Sequence, residues 1–135
     1  MYTSVLSRQQ LILVAGDIVT LGLVTVFGFA SHGEVETAGV RMLTTFLPLV
    51  AAWLLVAPHL KVFEMQRVGV LRELWRPFWA MVLAGPMAAW LRGVMLNAPI
   101  LPIFVIVIGG VSAMALLAWR SLFLMTVSWK RRFYE

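Results

Sequence analysis

The chain has no cysteine, and its 135 positions hold only six acidic residues against eleven lysines and arginines. Without thiols there is no disulfide framework, no thiol nucleophile, no cysteine zinc site and no iron–sulfur ligation. Charge of either sign is scarce, at 13% of residues where a soluble domain carries about a quarter. There is no G-x-S-x-G, no H-E-x-x-H, no phosphate-binding loop and no paired carboxylates, so hydrolysis and phosphoryl transfer lack their parts. The expectation is a protein that is not an enzyme and carries no cofactor and no metal.

Apolar sequence fills the rest. Hydrophobic residues make up 61% of the chain and are gathered in four runs, 11–30, 42–60, 77–96 and 100–119 or longer. At about 1.5 Å of rise per residue, each is long enough as a helix to cross a hydrocarbon core of roughly 30 Å. The fold expected is all-α, a single membrane domain over 1–135 in which four transmembrane helices form an antiparallel bundle. The first run is longer than the apolar part of a signal peptide and no small-residue cleavage site follows it, so it is expected to stay as an anchor.

A net charge of +5 would suggest nucleic acid in a soluble protein, but here the side of the membrane matters. With four spans both termini share a side. That side receives Arg8, Lys61, Arg67, Arg72, Arg76, Lys130, Arg131 and Arg132, and the other receives Arg41. The positive-inside rule therefore places both termini in the cytoplasm, in a multi-pass protein of the cell's inner membrane. Arg72, Arg76, Lys130, Arg131 and Arg132 are expected to meet anionic lipids of the inner leaflet, and no nucleic acid is expected as a partner.

Between the runs, 31–40 with Gly33, Glu34, Glu36 and Gly39 reads as a short polar outer turn, and 97–102 with Pro99 and Pro102 as a tight one. From Val68, Leu71 to Trp75 the apolar positions share a helical face opposite Arg72, Glu73 and Arg76. This suggests a short interfacial helix over 68–76, with a solvated turn as the alternative. Pro77 suits the first turn of span three. Beyond Arg120 apolar character continues to Trp129, so span four overruns the membrane, tilts or bends, and Trp75, Trp79 and Trp129 stand where an inner aromatic belt belongs.

Only Asp17, Arg92 and Arg120 are charged within the spans. A charge near the bilayer centre costs roughly 2.5 to 3.5 kcal/mol even on lenient scales, so each needs a partner, a wet cavity or a way out. Arg92 shares its helix face with Ala80, Ala84 and Ala88, beside Gly85, Ala89 and Gly93. Small residues at this spacing let helices approach closely, so Arg92 points into protein, or else reaches the outer headgroups. Gly109 and Ala113 return to the face of Arg120 within about 20° on the helical wheel, which leans that arginine toward a packed surface too. Asp17 and Arg120 fall in the same inner half of the membrane. They pair across spans one and four, or Asp17 stays protonated against a carbonyl while Arg120 reaches the inner headgroups.

His32 ends span one and His59 ends span two, a membrane apart. They cannot clamp one haem between them, and local hydrogen bonding is the plainer role for each.

Gly16-Asp17, Ser31-His32-Gly33, Pro48 with Trp53, Arg92, then Pro102, Phe104 and Trp119-Arg120 form an ordered set over about 11–124. In these residues the chain resembles the small prokaryotic membrane proteins of domain-of-unknown-function family 3054. The Asp, the Ser-His-Gly triplet and the Trp-Arg pair are its distinctive items. Ala118 stands where the family pattern has Gly, and the basic tail from Lys130 lies outside it. The resemblance implies a four-helix bacterial or archaeal membrane protein and groups Asp17, His32, Arg92 and Arg120 as one intramembrane constellation. It implies no established activity. Two classes of function remain: an accessory or assembly subunit docking on other membrane helices or on a second copy, an energy-transducing complex being one such home, and a small proton-linked or anion transporter or channel using Asp17, Arg92 and Arg120.

Overall fold

The computed structural model describes residues 7–33, 35–64 and 71–134. Among them are four long helices, α1 (Arg8–Ser31), α2 (Val35–Val56), α3 (Trp75–Leu96) and α4 (Pro102–Tyr134), with 3-10 turns at Ala57–Leu60 and Leu71–Glu73. All four are long and apolar enough to span a membrane, over Arg8–Ser31, Gly39–Leu60, Leu71–Leu96 and Pro102–Lys130. The protein is all-α, and a multi-pass membrane protein is what such helices make.

Helix ends follow local chemistry. Ser7 caps α1: its hydroxyl accepts from the Gln10 N–H at 3.2 Å while the Gln10 side chain accepts from the Ser7 N–H at 2.8 Å, a reciprocal box that satisfies two otherwise orphaned donors. The outer turn expected over 31–40 is helical again from Val35. It is broken instead at Gly39, whose φ of 38° and ψ of −117° are open to a residue without Cβ, and the membrane-crossing part of α2 begins there. Asn97 ends α3 with a left-handed φ of 48°. Of the stretch considered as an interfacial helix, 68–70 lie outside the described residues. Leu71–Glu73 form one 3-10 turn, and Trp75 already opens α3.

Each helix packs on the next in the chain, and α4 returns to α1. Contacts run in opposite chain order between α1 and α2 and between α2 and α3. Gly22 faces Phe46 where Asp17 meets Trp53, and Arg92 meets Thr45 where Arg76 reaches Leu60. Lipid supplies no hydrophobic drive between helices, so association depends on close fit and buried hydrogen bonds. The stripe of Ala80, Ala84, Gly85, Ala88 and Ala89 is buried, as are Gly109 and Ala113 on α4. A Cβ on Gly85 would stand 3.0 Å from the Gly109 Cα. This small-residue face is therefore consumed inside the chain's own bundle and presents nothing to an outside helix.

Candidate functional site

Asp17 and Arg120, 103 residues apart in sequence, meet in the core. The guanidinium donates from Nη2 to Oδ2 at 2.6 Å and from Nε to Oδ1 at 3.0 Å, a two-pronged pairing of planar groups. Nη1 donates to the Val62 carbonyl at 2.9 Å, and Trp53 Nε1 adds a bond to Asp17 Oδ2 at 3.3 Å. Asp17 is 0% exposed and Arg120 3%, which decides what the pair can do. Two unshielded charges in lipid would not persist, but here each is neutralised and every nitrogen and oxygen of the two groups has a hydrogen-bond partner. The arrangement joins α1 to α4 and ties both to the end of α2. It leaves neither carboxylate oxygen open to a substrate.

The neighbours of the pair interlock as well. The Trp119 ring lies against the backbone of Gly16 so closely that a Cβ there would fall 1.9 Å from its Cζ2. Gly16-Asp17 and Trp119-Arg120 thus form one joint, a seat with its ring and an anion with its cation. The Trp119 Nε1 is buried beside the Asp17 carboxylate.

At the other end of the bundle, Arg92 is half-buried. Its Nε donates to Thr45 Oγ1 at 3.2 Å, its guanidinium lies 5.0 Å over the Phe104 ring, and Thr45 is itself held by the Arg41 carbonyl at 3.1 Å. Arg92, Arg41, His32, Thr45 and Thr25 line a cavity of about 300 Å³ whose walls are otherwise apolar. The four-member constellation expected from the sequence is therefore corrected to two sites. Asp17 and Arg120 form one, and Arg92 with an exposed His32 forms the other, because 15 residues of α1 put about 22 Å between Asp17 and His32.

The basic residues divide in the same way. Arg72, Lys130 and Arg132 are exposed, whereas Arg76 is held by Glu73, by the Leu60 carbonyl at 3.1 Å and by the Trp75 ring at 4.6 Å; the Arg131 side chain lies outside the described residues. Trp75, Trp79 and Trp129 are exposed. His59 is exposed in its 3-10 turn, and no cluster of metal-ligating side chains occurs among the described residues.

Trp53, Thr45 and the Val62 carbonyl were not foreseen as partners. Trp53 and Thr45 carried a signal, since an indole N–H and a hydroxyl in an apolar run both need an acceptor or donor inside the protein. The box at Ser7 and Gln10 was also open to reading from its spacing.

Comparison with curated proteins and with solved structures finds no match. The model of a family described as "Protein of unknown function (DUF3054)" matches residues 14–123, a span that contains both halves of the joint and Arg92. The chain belongs to this family of proteins of unknown function.

Proposed function

We propose that the protein is a non-catalytic accessory or assembly subunit of the cell's inner membrane, docking on helices of another membrane protein or on a second copy of itself through the outward face of α4. The observation that carries this reading is the condition of α4. It is 33 residues long, about 50 Å, against the roughly 30 Å it has to cross, and its span is the least buried of the four. Gly110 lies on its exposed side with nothing within 4 Å of a would-be Cβ, whereas Gly109 next to it is taken up by α3. A helix-interior glycine costs about 0.5 to 1 kcal/mol relative to alanine, and a notch for a neighbouring helix is the return that offsets it in membranes. If so, mild-detergent extraction recovers the wild type with a stoichiometric companion and Gly110→Leu as a folded species without it. A wild type that is monodisperse and alone, or a complex indifferent to Gly110→Leu, contradicts the reading.

Charge sets the orientation. Arg72, Lys130 and Arg132 are exposed at the end that also presents Trp75, Trp79 and Trp129, which suits an anionic inner leaflet and its aromatic belt. Both termini are then cytoplasmic. Because the chain has no cysteine, single cysteines report this cleanly: an impermeant maleimide added to intact cells is expected to label Glu36→Cys and spare Lys130→Cys, and the reverse pattern refutes the orientation.

The transporter reading draws less support. Two of its three residues, Asp17 and Arg120, are spent on each other in the buried core, and Arg92 lines a cavity.

A further inference from the structure

Half-buried guanidinium groups in a membrane bundle call for an anion. Arg92 uses its Nε on Thr45, and its Nη1 and Nη2 have no hydrogen-bond partner among the described residues. Among the described residues that line the cavity there is no aspartate or glutamate. Arg41, His32 and Thr25 also stand on its walls. The rest of the lining is largely apolar: Val24 and Phe29 come from α1, with Thr25 whose hydroxyl is spent on the Leu21 carbonyl, and Phe104, Val107 and Ile108 from α4. α1 and α4 close on each other at the Gly16 and Trp119 joint and leave the space between them at this end. Val107 is 55% exposed, so the cavity reaches the lipid-facing surface as well as the loop side.

We infer that this cavity is a binding site for an anionic amphiphile, a single apolar chain ending in a phosphate or carboxylate, with the oxyanion on Arg92 and the chain between α1 and α4. The chemistry fits at both ends. A guanidinium presents two parallel N–H donors to a planar or tetrahedral oxyanion, and its fixing by Thr45 and the Phe104 ring leaves little motion to lose on binding. The volume lies at the small end of ligand pockets, which run from about 300 to 1,000 Å³, so the site takes a head and the first part of one chain. Free inorganic phosphate shares the headgroup chemistry and enters from the loop side, whereas the amphiphile enters from the lipid.

The test uses the full chain in a maltoside detergent, titrated with dodecyl phosphate, inorganic phosphate and dodecanol, and read by calorimetry and by thermal unfolding. Dodecyl phosphate is expected to bind saturably at one site and raise the melting temperature, and dodecanol to do neither. Arg92→Gln is expected to weaken the binding about tenfold or more, with Arg92→Lys in between. Val107→Trp, at an exposed position on the chain-binding wall, is expected to weaken dodecyl phosphate and spare phosphate, which keeps the question open to decision if Arg92→Gln fails to fold. Phosphate binding as tightly as dodecyl phosphate, and lost in Arg92→Gln, retains the oxyanion site and overturns the amphiphile. No saturable binding of either, or binding indifferent to Arg92→Gln and to Val107→Trp, overturns the site.

Discussion

At the scale of single residues, Gly16 and Trp119 show how a position can be fixed by what its neighbour occupies. The indole fills the space a Cβ would need, at 1.9 Å from the Trp119 Cζ2, and the carbonyl of Gly16 also accepts from the Thr20 hydroxyl at 2.7 Å. Gly16→Ala must therefore displace either the ring or the helix. Overpacking of this kind costs about 1 to 3 kcal/mol. A lowered melting temperature for Gly16→Ala, partly recovered when Trp119→Leu clears the space, is the expected result in detergent. Gly16→Ala melting with the wild type would show that the ring is not seated there.

At the scale of helices, the sequence specified much of the architecture because lipid imposes so simple a rule. Each of the four apolar runs overlaps a helix of the structure, and the Ala80 to Ala89 stripe with Gly109 and Ala113 is a buried packing face. What periodicity left unread was backbone geometry that depends on a single residue and its surroundings. The restart of α2 at Val35 and its break at Gly39 are set by a local dihedral choice, which no hydrophobic pattern records. The extent of α4 to Tyr134 was open for a related reason: apolar sequence past Arg120 is compatible with a straight helix and with one that bends along the surface. The sites divide likewise. Asp17 and Arg120 were conspicuous because charge in lipid is expensive, and that they meet was one of two readings left open. Their partners Trp53 and the Val62 carbonyl were hidden, since a main-chain acceptor has no signature and a tryptophan in an apolar run resembles any core aromatic. The packing face carries its own prediction. Gly85→Val would force β-branched bulk into a 3.0 Å approach, so α3 and α4 are expected to separate and thermal stability to fall by about 1 to 3 kcal/mol. Unchanged stability would mean that these helices do not touch at Gly109.

At the scale of the molecule, the first and last helices pack on each other, and the ion pair lies within that contact. Removing one partner strands the other charge in a sealed, apolar place, which costs about 3 to 5 kcal/mol, while replacing both by apolar groups of similar size is often close to neutral. This asymmetry separates a closing clamp from two charges that merely lie near each other. The most direct measurement is a double-mutant cycle on unfolding in a neutral detergent, with Asp17→Leu, Arg120→Met and the two combined. Each single substitution is expected to lose about 3 kcal/mol or more, and the combination to recover most of that loss. Singles that unfold with the wild type, or losses that simply add in the double variant, would contradict the account.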